Sequence, residues 1–178
     1  MSIRPAVLKT ATLIETHHPG QRPQPKGRRS LDERMDRLGC ILIETLDVPH
    51  EEGAIADAIA KAGGQIIFVL TASATSDAND LGPTALRRAG GELHHYGMPV
   101  DPGNLMFTGT YGGNPQGASN GERPVIGLPG CARSPALNVA DWVMERIICG
   151  VPVTDDDITA MGVGGLLKEI PDRGQPRG

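Results

Sequence analysis

What this chain has little of narrows it before any motif is read. Aromatic residues make up only 3% of its 178 positions, so the core has to be built from Ile, Leu, Val, Ala and Met. Its three cysteines, Cys40, Cys131 and Cys149, form no CxxC pair and no disulfide framework, which points to a reducing, cytoplasmic setting. The five histidines make no HExxH or comparable zinc spacing. No apolar run approaches the ~20 residues of a membrane span, and residues 1–8 lack the apolar core of a signal peptide. There is no internal repeat. A formal charge of −4 argues against bulk nucleic-acid binding, so neither nucleic acid nor membrane is expected as a partner.

What is abundant is glycine (24) and proline (15), spread without a period, which means many turns rather than a fibrous or low-complexity chain. Apolar residues at 39% are enough for one domain with a single core. Residues 6–14 read as a strand. Residues 17–29 are Pro-rich and basic and read as a mobile loop, either simply solvated or a flap over an anionic ligand. Ser30 reads as the cap of a short helix, with Glu33 at the capping-box position and Gly39 as its stop. A strand over 41–46 and a helix over 49–61 follow. Residues 65–71 (QIIFVLT) are almost entirely apolar, the mark of a central strand covered on both faces. A helix over 83–89 and a strand over 92–96 come next; His94 and His95, being adjacent, face opposite sides. Strands over 105–110 and 123–128 flank a long hairpin loop, 111–122. A helix over 136–148 has Ser134 as N-cap and Pro135 at its first position. Thr154 caps a short acidic helix, whose Asp155, Asp156 and Asp157 suit the helix dipole better than a metal. The alternation predicts a three-layer α/β/α fold with a mixed, mostly parallel sheet, as one domain over 1–165 with a C-terminal tail over 166–178, disordered from 171 onward.

In such sheets ligands bind at the carboxyl ends of the strands, and loops of the right chemistry fall there. Residues 71–80 (TASATSDAND) follow the central strand and offer the hydroxyls of Thr71, Ser73, Thr75 and Ser76 with the carboxylates of Asp77 and Asp80. Hydroxyls and N–H groups hold phosphate, and carboxylates hold Mg²⁺ beside it. The plain alternative is a polar connection in which Asp80 caps the next helix. Residues 98–104 form a rigid turn containing Pro102-Gly103-Asn104. Residues 127–138 (GLPGCARSPALN) join a strand to a helix, and the free N–H groups of a helix start suit an anion. Cys131 lies just before that start, where a thiol is drawn toward thiolate, or else is simply a small residue in a tight turn.

These loops, in this order, resemble the molybdopterin-binding domain family of molybdenum-cofactor biosynthesis. That family's first loop, roughly Gly-Gly-x-Gly followed by a final Asp, corresponds to residues 72–80, with Asp80 on the final Asp. Its Pro-Gly-Lys/Asn turn corresponds to Pro102-Gly103-Asn104. Its Leu-Pro-Gly-Asn-Pro turn corresponds to Leu128-Pro129-Gly130, continuing here as Cys131-Ala132. The resemblance covers residues 38–150, and its nearest subgroup sits upstream of a cytidylyltransferase-like domain. The chain ends before such a domain could begin, as an excised domain or a stand-alone form. The resemblance implies molybdopterin or molybdenum cofactor as ligand, with Mg²⁺. It also implies a nucleotide and a nucleotidyltransferase partner, and a homo-oligomer. It places Ala72, Ser73, Thr75, Ser76, Pro102, Gly103, Asn104, Gly130, Cys131 and Ser134 on the ligand, and Asp77 and Asp80 as metal-holding catalytic carboxylates. Ala72, Ser73 and Thr75 replace the family's glycines, which disfavours adenylyl transfer more than binding. The rival readings are an active molybdopterin nucleotidyl- or molybdenumtransferase, and a non-catalytic oligomerisation module.

Overall fold

The computed structural model describes residues 3–113 and 121–162. The centre of the expected hairpin loop, the expected domain boundary and the tail lie outside the described residues. The strands are β1 (Thr10–His17), β2 (Ile41–Pro49), β3 (Ile66–Leu70), β4 (Glu92–Tyr96), β5 (Phe107–Gly113) and β6 (Glu122–Gly127). The helices are α1 (Pro25–Leu38), α2 (Glu52–Lys61), α3 (Leu81–Arg88), α4 (Val139–Ile148) and α5 (Asp155–Thr159).

The sheet runs β2-β1-β3-β6-β5-β4. β2, β1, β3 and β6 pair in parallel, and β5 lies antiparallel to both of its neighbours, β6 and β4. Every strand but β5 therefore ends at the same edge, which is where connecting loops converge. Side-chain alternation sorts the core into two layers. Leu13, Phe68 and Ile126 pack with Leu31 and Met35 of α1, Val143 and Met144 of α4, and Ile158 of α5. Ile14, Val69 and Val125 pack on the opposite face with Ile55 and Ile59 of α2 and Ala85 and Leu86 of α3. All five residues of β3 are buried, as a strand covered on both faces requires. This is the expected three-layer α/β/α arrangement with a mixed, mostly parallel sheet.

Three local expectations differ. Helix α1 begins at Pro25, so residues 25–29 of the expected basic loop are its first turns, and Ser30 is an interior, buried residue rather than a cap. Pro25 is pre-set for a first helical position, and the Ser30 hydroxyl is drawn inward to donate to the Ala132 carbonyl at 3.0 Å. Helix α4 starts at Val139, capped by Asn138 instead of Ser134. Asn138 Oδ1 accepts from Ala140 N–H at 3.0 Å, and Asp141 Oδ2 accepts from Asn138 N–H at 2.9 Å, a reciprocal capping box. Ser134 instead closes a 3₁₀ turn, Gly130–Arg133. The first strand starts at Thr10, because the arm before it is held elsewhere: Val7 and Leu8 N–H both donate to the Ile148 carbonyl.

Candidate functional site

The first loop folds on itself where β3 ends. The Thr71 hydroxyl donates to the Ser73 carbonyl at 2.7 Å and lies 3.3 Å from the Thr75 hydroxyl. The Tyr96 hydroxyl donates to the Thr75 carbonyl at 2.9 Å, clamping the loop to the end of β4. Asp80 is the N-cap residue of α3, yet its side chain makes no cap hydrogen bond. Its Oδ2 reaches back to accept from Ser76 N–H at 2.5 Å and Asp77 N–H at 3.0 Å, while Asp77 Oδ1 accepts from Asn79 N–H at 2.7 Å. Both carboxylates thus shape the loop. Burial and the charges of Asp80 and Asp77 together push the Tyr96 phenol upward, so it stays protonated and donating.

Ser73 and Ala74 are exposed, Thr75 is buried, and with His50, Thr71, Asp80, Leu81 and Gly82 they line an open cleft of roughly 100 Å³. Glycine at 82 is required by packing: a Cβ there would lie 2.8 Å from the Phe107 ring. The wall of the cleft is tied to β1 and β2. Ala72 N–H donates to Thr16 Oγ1 at 2.7 Å, and Thr16 Oγ1 lies 2.9 Å from His50 Nδ1. His18 Nε2 lies 3.2 Å from Ser73 Oγ, and the His18 and His50 rings meet edge to face at 4.9 Å between centroids. Burial, then His18, lowers the His50 pKa, so the free protein holds this imidazole neutral.

The other two loops stand on the same edge. In the second, Gly103 is buried with φ +124, and a Cβ would lie 2.5 Å from both Asn138 Oδ1 and Val139 Cγ2, so only glycine fits. The Pro102 carbonyl accepts from Val139 N–H at 3.1 Å, which leaves Asn104 and part of Pro102 at the surface. In the third, Gly130 and Cys131 are exposed, Ser134 is half-buried, and Asn138 Nδ2–H donates to Cys131 Sγ at 2.9 Å. Arg133 then joins the third loop to the first by donating from Nη2 to the Thr71 carbonyl at 2.8 Å. Beneath it, Glu15 of β1 is only 3% exposed, and burial raises its pKa against a smaller opposing effect of Arg133. Arg34 of α1 fixes the third loop from below, through Asp141 at 2.5 Å and the carbonyls of Ala132, Ser134 and Ala136.

The structure brings Ala72, Ser73, Thr75, Ser76, Asp77 and Asp80 into one loop. It brings Pro102, Gly103 and Asn104 against the start of α4, beside Gly130, Cys131 and Ser134. Glu15, His18, His50, Arg133 and Asn138 were not singled out by sequence reasoning as site residues. Five positions scattered from β1 to α4 carry no shared spacing, although the polar Thr16 and Glu15 inside an apolar strand are a signal of a kind. Asp77 and Asp80 are each engaged by backbone N–H groups of their own loop. Among the described residues no group of three or more His, Cys, Asp or Glu is placed to hold a metal ion. No helix among the described residues is long and apolar enough to cross a membrane.

No family model and no curated protein matches the chain. Solved structures do. The chain is similar to the molybdopterin biosynthesis MoeA protein from Pyrococcus horikosii, with a TM-score of 0.51 and 20% identity, over 82% of this chain and 34% of that one. It is also similar to a Corynebacterium diphtheriae protein assigned to molybdenum cofactor biosynthesis, with a TM-score of 0.52 and 16% identity, over 85% of this chain and 98% of that one. It thus spans about a third of the length of the Pyrococcus protein and nearly all of the Corynebacterium one. The three-layer α/β/α fold with its mixed, mostly parallel sheet is shared with the matched third of the Pyrococcus protein and with nearly the whole of the Corynebacterium one.

Proposed function

We propose that this chain binds molybdopterin, or the molybdenum cofactor made from it, during the cofactor's biosynthesis or maturation. One observation carries the reading: three loops of the expected order meet on the carboxyl edge of the sheet, with Arg133 bonded to the Thr71 carbonyl and Asn138 bonded to Cys131 beside Gly103. The likeness to two structures from molybdenum-cofactor biosynthesis supports it. In this reading the pterin's phosphate sits in the cleft on Ser73, Thr75, Ser76 and the N–H groups of Ser73, Ala74 and Thr75. Pro102-Gly103-Asn104 borders the pterin, and Gly130, Cys131 and Ser134 close the far side.

Binding rather than group transfer is the favoured form, because Asp77 and Asp80 are occupied in holding their own loop. Self-association and delivery of the bound pterin to a nucleotidyltransferase, cytidylyltransferase-like in kind, belong to the same reading. Isothermal titration with molybdopterin tests it: saturable one-site binding supports the proposal, and no heat at high protein concentration sinks it. Release of pyrophosphate on adding CTP or ATP to the purified chain would replace it with the transferase reading.

A further inference from the structure

We infer that His18 and His50, in place of a carboxylate-held divalent cation, take up the anionic group of the ligand that enters the cleft at the end of β3. The identity of that ligand rests on the reading above; the chemistry of its anionic group does not. His50 lines the cleft together with Ser73, Thr75 and Asp80. Its Nδ1 is committed to Thr16, so Nε2 is the nitrogen that remains for a ligand. The Thr16 hydroxyl accepts from Ala72 N–H and has both a proton to give and a further lone pair. It donates to Nδ1 when the ring is neutral and accepts from it when the ring is charged. His50 therefore takes up a proton without losing its support, and Nε2–H is a donor in both states.

His18 completes the pair. Its ring packs edge to face on His50, and its Nε2 meets the exposed Ser73 hydroxyl, one of the groups that replace the expected glycines. The charged groups on the surrounding elements are Glu15 and His17 on β1, Asp47 on β2, Glu51 and Glu52 at the start of α2, Asp77 and Asp80 in the first loop, Arg87 of α3, which donates to the Ala78 carbonyl, and Arg133, which donates to the Thr71 carbonyl. Glu52 is paired to Arg88 at 3.2 Å, and the two loop carboxylates accept backbone N–H bonds. Arg133 and Arg87 are spent on loop carbonyls and no lysine or arginine lines the cleft itself, so an anion arriving there is held by drawing a proton onto the His50 imidazole, with His18 beside it as a further N–H donor. Its affinity then rises as pH falls through the histidine range and declines above it.

The test uses the full chain and inorganic pyrophosphate as the probe, followed through the imidazole nitrogen resonances at about pH 6 and about pH 8. The expected result is a saturable shift of His18 and His50. Affinity should be unchanged by EDTA, roughly tenfold weaker at the higher pH, and reduced about tenfold by His50→Gln. Imidazole signals that do not move, or binding that appears only with added Mg²⁺, would overturn the inference. The resonances of the wild-type chain decide it even if a variant folds poorly. Pyrophosphate binding of this kind without molybdopterin binding would keep the histidine inference and sink the molybdopterin reading; molybdopterin binding that EDTA abolishes would do the reverse.

Discussion

Asp80 illustrates how far a single residue can be read. Its place before a helix marks it as a cap or a ligand, and both are forward-looking roles. In the folded chain its carboxylate turns back and holds two N–H groups of its own loop. Asp80→Ala is therefore expected to cost about 1 kcal/mol of stability and to weaken molybdopterin binding by loosening Ser76 and Asp77, checked by denaturant melts beside titration. Glu15 gives only a faint signal in the sequence because its surroundings are assembled from α1, β1 and the third loop; Gly27 is kept bare by it, since a Cβ there would lie 2.7 Å from Glu15 Oε1. Burial raises the Glu15 pKa, so the folded state binds its proton more tightly than the unfolded chain does. Its contribution to stability is fully present below the unfolded carboxylate pKa and is lost as pH rises through the folded one. Glu15→Gln should then stabilise the protein near neutral pH and not at acidic pH, as melts across that range will show. Among the cysteines, Cys131 is exposed while Cys40 is 1% exposed with its thiol pushed up by burial. Iodoacetamide should label Cys131 well before Cys40, and saturating molybdopterin should protect it; peptide mass spectrometry reads both.

At the scale of the element, the alternation of apolar runs with helical spacing was enough to place all six strands and the helices between them. Boundaries failed where a tertiary partner outbid a local signal. Ser134-Pro135 has the form of a helix start, but Arg34 claims the Ser134 carbonyl and the Gly130–Arg133 turn sets the chain direction, so α4 begins later, at the better box of Asn138 and Asp141. Asn138→Ala should cost about 1–2 kcal/mol, and should also free Cys131 from its amide donor. Arg34 and Asp141 form a pair that is almost wholly buried and carries the third loop. Removing one partner strands the other, so Arg34→Met should destabilise by about 3–5 kcal/mol in denaturant melts.

At the scale of the whole molecule, the sheet order places the carboxyl ends of β1, β3, β4 and β6 along one edge, and the three loops that follow β3, β4 and β6 lie there. That convergence was legible in the sequence, because loop order and strand order are both read from the chain. The histidine pair was not, since it is created by the parallel pairing of β1 with β2, which sets His17 against Pro49 and so brings His18 to His50. A larger groove lies elsewhere, among Val7, Thr110, Pro124 and Val153 near the opposite end of the sheet, away from the three loops. The central claim is that one ligand is held by all three loops together. Backbone amide resonances of the labelled chain, followed as molybdopterin is added, test it most directly. The predicted result is saturable movement of Ala72, Ser73 and Ser76, of Gly103 and Asn104, and of Gly130 and Cys131 at a common affinity; saturable movement confined to the groove at the other end of the sheet, or no movement at all, would contradict it.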